Sequence, residues 1–306
     1  MDGVVHLRFP AAVQEEWRLS EACRGERLDR AVCGVLRDRG RRTSVREVRR
    51  ALASGAIRVD GRRVDPGRRA GGTERLDLTA FVPRAEARVA AEPELARRVP
   101  RLGGWPDMVA LDKPPGVPCA PLRPTERSTL LGVALVHDPA IATAGPPLEG
   151  GLAHRLDVGT SGVVLFARTA AARDRLRAAF GAHRIDKRYL AVVRPPPAPL
   201  PPVLDAPIAG SGERVRVGDR PGALPARSTF TVLARRPDRW WVAVDTAHGR
   251  RHQVRAHLAH LGAPILGDAR YGGAAAERLM LHAARLDLPD GRRVAAPPPP
   301  GFAEDG

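Results

Sequence analysis

The chain has 306 residues, enough to bury a sizeable core in one large or two unequal domains. Its 50 Lys and Arg against 34 Asp and Glu leave a net charge of +16, almost all of the excess being Arg, which points to a polyanionic partner. Three cysteines without metal or disulfide spacing, no run near ~18 apolar residues and an N-terminus without a signal-peptide layout exclude a disulfide scaffold, a membrane span and secretion, so a cytoplasmic location is expected.

High Gly and Pro counts, 31 and 30, also fit a high-GC coding bias, so charge alone permits nucleic acid without requiring it. Residues 1–25 form an N-terminal segment with little signal. From there Leu28, Val32, Val35 and Leu36 recur at helical spacing up to a basic turn at 37–42. Thr43 or Ser44 then caps a second helix, with Glu47 placed as in a capping box. Val45, Val48 and Leu52 make its buried stripe, Arg46, Arg49 and Arg50 lie off it, and Gly55 stops it. Ile57 and Val59 alternate into an Asp60-Gly61 turn, Val64 starts a return strand, and Leu76-Asp77-Leu78 closes the unit.

Arginines on one helix face are either a docking surface or a solvated face, and charge alone does not choose. The order RLDRAV, then TSVREVRRALASGAIRVDGRRV, resembles the small alpha-L RNA-binding module. Asp60-Gly61 replaces its usual Asn-Gly turn, and Thr43 its usual Arg. The resemblance implies RNA contacts from Arg46, Arg49 and Arg50 in a module spanning 26–82.

Residues 83–105, rich in Pro and Gly, read as a linker, and a larger domain is expected over 106–290. Met108 to Leu111 is a short strand running into Lys113, which is a phosphate contact or, preferably, an edge-strand charge. Residues 128–137 read as a helix capped by Ser128, and Thr169 caps another helix that runs to Phe180. Between them Val163 to Ala167 is a strand. Residues 183–193 are a basic loop entering a strand, and 195–202 a proline-rich surface loop. Strands follow at 227–233 and 240–244. Val254, Leu258 and Leu261 then mark a helix, and the last strand spans 278–283. The tail, 291–306, has prolines at 297–300 that look unstructured. His252, His257 and His260 suggest a metal, but no carboxylate or Cys completes a shell, so none is expected.

The densest polar stretch is 151–169, where His154, Arg155, Asp157, Thr160, Ser161 and Gly162 precede the strand at 163. An Asp before a turn is commonly a local cap, but a carboxylate at a strand mouth flanked by Arg also suits chemistry.

Three clusters recur in order: HRLDVGTSG, KRYLAV, and GRRHQVRAHLAHLG followed by GD, YG and RLMLHA. Together they resemble the RluA family of RNA pseudouridine synthases over residues 108–290. Val158-Gly159 stands where that family often has Lys-Asp, and His248 where it often has Thr. The resemblance implies an α+β fold with a large mixed, mainly antiparallel sheet and flanking helices. It also implies isomerisation of uridine to pseudouridine without a cofactor. It assigns the catalytic carboxylate to Asp157, its partner to Arg255, the stacking residue to Tyr189 and an apolar wall to Leu281. Arg155 would fill the place of the extruded base, and His154, Lys187, Arg250 and His252 would contact RNA. Whether Asp157 attacks C1′ or takes a proton from C2′ stays open. The expected partner is ribosomal rather than transfer RNA, and the protein a monomer. A non-catalytic RNA chaperone is the alternative, which would not need Asp157, Tyr189 and Arg255 together. A hydrolase would need a second carboxylate or a metal.

Overall fold

Helical spacing of Leu28, Val32 and Leu36 buries all three completely on α1 (Leu28–Asp38) in a computed structural model that describes residues 17–124, 126–210 and 212–302. The chain divides into two units, Met1–Arg88 and Val89–Gly306.

In the first unit β1 (Trp17–Arg18) precedes α1, and α2 (Val45–Ser54), β2 (Arg58–Val59) and β3 (Arg75–Asp77) follow it. Ser44 caps α2, its Oγ accepting from Glu47 N at 3.2 Å, and Gly55 ends it at φ 79°. Only half of the expected capping box forms, because the Glu47 carboxylate accepts instead from the Thr43 hydroxyl and Arg84 N. Asp60 and Gly61 turn in the left-handed region, but the strand that returns beside β2 is β3 and not one starting at Val64. Leu76 pairs with Val59 on one side and Trp17 on the other, so the sheet runs β1-β3-β2 and all three side chains enter one core. The segment at 1–25 therefore contributes an edge strand, while residues 1–16 lie outside the described residues.

The second unit is built on a nine-stranded sheet among the described residues. Its elements are α3 (Pro93–Ala96), β4 (Arg101–Gly104), β5 (Met108–Lys113), α4 (Leu130–His137), β6 (Ser161–Ala167), α5 (Ala170–Gly181), β7 (Asp186–Val193) and β8 (Val203–Asp205). After these come β9 (Ile208–Ala209), β10 (Arg216–Val217), β11 (Arg227–Arg235), β12 (Trp240–Thr246), α6 (Gln253–His260), β13 (Leu281–Asp287) and β14 (Arg293–Ala295). The order is β4-β5-β6-β13-β7-β12-β11-β8 with β14 on β13, and only β6–β13 is parallel. This is the expected mixed, mainly antiparallel sheet. β6 is apolar without alternation because both faces are covered: Val164 and Phe166 pack with Leu130 and Leu131 of α4, and Val163 and Leu165 with Leu176 of α5. Gly162, at φ 113°, lets the β6 backbone approach Ala283 where a side chain would collide with it.

Three local expectations change. The stretch read as a linker is largely folded: β4 pairs with β5, and Glu92 bonds Gly132 O and Ser128 N. Prolines and glycines erase periodicity there, yet tertiary partners hold the backbone. Thr129, not Ser128, caps α4, its Oγ1 accepting from Gly132 N at 3.2 Å, while Ser128 turns at φ 55°. The tail begins inside the fold, since β14 pairs with β13 and Phe302 is buried against Arg278 and His282. Ser161 belongs to the same region: it accepts from Arg278 Nη2 and lies 2.9 Å from His282 Nδ1, a buried structural chain. Among the described residues no helix is long and apolar enough to cross a membrane.

Candidate active site

Asp157 lies in the loop between α4 and β6, and the loop is fixed by alternate residues. His154 turns inward, stacks on Phe180 and accepts from Leu165 N at 3.2 Å through Nε2. That bond needs an unprotonated nitrogen, and burial holds this imidazole neutral by pushing its pKa down to about 3. Arg155 points out. Leu156 turns inward, its N–H on Cys119 Sγ at 3.3 Å. Asp157 then faces a cleft of about 1110 Å³, and its carbonyl closes a turn onto Thr160 N.

Lys113 fixes the far side of the loop. It is fully buried, and its Nζ donates to Val158 O at 2.9 Å, Val117 O at 2.7 Å and Pro114 O at 3.0 Å. It is neither a phosphate contact nor an edge charge, because β6 covers β5 and three carbonyls converge at its tip. Burial lowers its pKa to about 8.

Sheet order brings the remaining residues to the cleft. Tyr189 stands on β7 and Leu281 on the adjoining β13, two register positions apart, and both line the cleft. The Tyr189 phenol is pushed well above its usual range, first by burial and then by the charge of Asp157. Arg255, on the first turn of α6, is 8% exposed and held by two carboxylates. Its Nε and Nη2 grip Asp268 at 2.7 Å each, and its Nη1 donates to Asp157 Oδ2 at 2.8 Å. Burial would lower its pKa, but the two carboxylates more than offset this and raise it. Asp268 was visible in the sequence only as part of a Gly-Asp pair, with no sign of its role.

Other expected contacts are placed differently. Lys187 lies inside, its Nζ spent on Ile185 O and Ala247 O at the strand end, with burial lowering its pKa to about 8. His252 is buried, with Nε2 3.7 Å from Asp157 Oδ1 and Nδ1 3.0 Å from the Tyr271 hydroxyl. Arg250 lies at the rim, its Nε on Pro225 O and its Nη2 3.5 Å from His183. His257 is structural, between Ser228 Oγ and Ala206 O. In the first unit Arg46, Arg49 and Arg50 are all exposed, and Arg49 also bonds the buried Asp29 at 2.7 Å.

Residues 107–260 match the family described as RNA pseudouridylate synthase. The chain is 34% identical, over 86% of its length and 82% of the relative, to an uncharacterized RNA pseudouridine synthase of Chloroflexus aurantiacus. It is 33% identical to the ribosomal large subunit pseudouridine synthase D of Pseudomonas aeruginosa, over 54% of this chain and 51% of that one. With the tRNA pseudouridine synthase C of Salmonella typhi it shares 39% identity over 44% of this chain and 61% of that one. In fold it resembles human RNA pseudouridylate synthase domain containing 4, with a TM-score of 0.54 at 24% identity over 69% of this chain and 92% of that one. With an Asp–Arg pair at the mouth of a large mixed sheet and family similarity across that same region, this chain belongs to the RNA pseudouridine synthases, isomerases that convert uridine in RNA to pseudouridine.

Proposed function

We propose that this enzyme isomerises particular uridines of structured RNA, ribosomal rather than transfer RNA, with Asp157 as the carboxylate that acts on an extruded nucleotide. One observation carries the reading. Asp157 Oδ2 is held by Arg255, Arg255 is fixed by Asp268, and the carboxylate borders an open cleft beside Tyr189 and Leu281. An anchored carboxylate suits attack at C1′ or removal of a proton from C2′. By either route the C1′–N1 bond breaks with its electron pair on the uracil, the ring turns, C5 bonds to C1′, C5 gives up its proton and N1 gains one. Nothing is oxidised or reduced, so the substrate's own atoms balance the reaction.

Tyr189 stacks on the base and Leu281 walls the pocket. With its phenol held protonated, Tyr189 enters the C5 proton transfer as a relay rather than as a phenolate base. Extrusion costs a few kcal/mol, and the exposed Arg155 fills the gap left in the stack. Arg250 contacts the flanking backbone. The first unit acts as an alpha-L RNA-binding module through Arg46, Arg49 and Arg50. That basic module and the similarity to a large-subunit synthase favour ribosomal RNA.

Tritium release from C5-labelled RNA of a strain lacking the enzyme, with ribosomal and transfer fractions assayed apart, tests both halves. Wild type is expected to release tritium from the ribosomal fraction. Asp157→Ala should be at least about 1000-fold slower with RNA affinity kept within about threefold. Wild-type rates in that variant would remove Asp157 from the centre, and release from transfer RNA alone would reverse the substrate assignment.

A further inference from the structure

His252 occupies the side of Asp157 that Arg255 leaves open, its Nε2 3.7 Å from Oδ1. Its ring is buried and its backbone strained, with φ 53° and ψ 21° at the N-cap of α6, where its side chain caps nothing. Glycine or asparagine would adopt that conformation more readily. A strained residue whose side chain is turned away from the cap and toward a reacting carboxylate calls for a role beyond helix initiation.

The state of the imidazole is read from its hydrogen-bond partners. Val215 N donates to the Tyr271 hydroxyl oxygen at 2.9 Å, and that hydroxyl lies 3.0 Å from His252 Nδ1. A backbone amide only donates, so the phenol accepts there and keeps its own proton to give to Nδ1. A phenol that donates to Nδ1 leaves the ring proton on Nε2, facing Asp157. Burial, the largest influence, outweighs the pull of Asp157 and keeps the ring neutral, and the charges of Arg255, Arg251 and Arg270 act in the same direction.

We propose that His252 is a positioning residue for the isomerisation: a neutral imidazole, its tautomer set by Tyr271, that presents Nε2–H to Asp157 Oδ1 and stabilises the carboxylate as it re-forms. The proposal rests on Asp157 as the reacting carboxylate. At 3.7 Å the contact exceeds a hydrogen bond, and it shortens as substrate fills the cleft. In the first step Asp157 gives up its charge, bonding to C1′ or taking the C2′ proton while the C1′–N1 electron pair moves to the uracil. In the last step that bond to Asp157 breaks, its electron pair returns to the carboxylate, and Nε2–H meets the charge. The imidazole keeps its proton throughout.

The test is tritium release across the imidazole range, about pH 5 to 8, with RNA affinity measured separately. Tyr271→Phe deletes one oxygen from a ring that otherwise packs alike, and should lower kcat about tenfold with KM and RNA Kd within about twofold. His252→Ala should lower kcat about 100-fold, and His252→Gln, which retains a neutral N–H, should recover about tenfold of that loss. Wild-type kcat should fall on the acid side, where an imidazolium pairs with Asp157 and holds it, and His252→Gln should lack this limb. Unchanged kcat in both Tyr271→Phe and His252→Ala overturns the proposal, as does a loss confined to RNA affinity or an acid limb that survives in His252→Gln. Asp157→Ala runs in parallel. If it is dead while His252→Ala works at full rate, only the role of His252 fails; if it is active, the underlying reading fails instead.

Discussion

Arg255 is a buried cation whose donors are met by two carboxylates, and its geometry divides their work. Asp268 takes the planar fork in a two-pronged grip through Nε and Nη2, which leaves Nη1 to aim at Asp157. Removing a partner from such a pair is worse than removing the pair, because a charge stays buried without its counterion. Asp268→Ala is therefore expected to lose about 3–5 kcal/mol in urea unfolding. Tritium release should fall with it, since nothing then fixes the Arg255 plane, and RNA affinity should hold. Stability within about 0.5 kcal/mol of wild type would show that the grip is incidental. Lys113 teaches the complementary lesson. From sequence it had two readings, both solvent-facing, because lysine is seldom buried. Three carbonyls converging from separate turns keep its tip satisfied, and no local pattern announces such convergence.

Elements were the most legible level, because caps and periodicity are local. Ser44 and Gly55 bound α2 as spacing predicts, and Thr169 starts α5, its Oγ1 accepting from Ala172 N. The miss at α4 is instructive: Ser128 and Thr129 are both good caps, and only the backbone path decides between them. Thr129→Ala should cost about 1 kcal/mol and Ser128→Ala less than about 0.5 kcal/mol, read from denaturation midpoints. The reverse ranking would restore the cap to Ser128. β4 and β14 escaped notice for a related reason. Short strands at a sheet edge carry little alternation of their own, and their neighbours β5 and β13 define them.

Across the whole molecule basic charge is divided by residue type. The chain has two lysines, Lys113 and Lys187, and the exposures are 0% and 5%, so the surface cations are arginines. Amine-reactive labelling of the native protein should modify neither lysine despite pKa values near 8, and both should react after denaturation, as peptide mapping would show. Rapid labelling of either in the native state would contradict its burial. What the sequence determined alone was a basic protein with a two-part layout, most helices and strands, and a polar loop before β6 that includes Asp157. These follow from composition and from periods of two and 3.6, which act within a few residues. That Asp157 meets Arg255, 98 positions away, and that Tyr189 and Leu281 share its cleft, was implied only by resemblance to a family. The tertiary structure decided it through a strand order, β6-β13-β7-β12, that places distant segments side by side. The burial of Lys113, Lys187 and His252 was decided there too, because burial depends on which surfaces meet rather than on which residues adjoin in the chain.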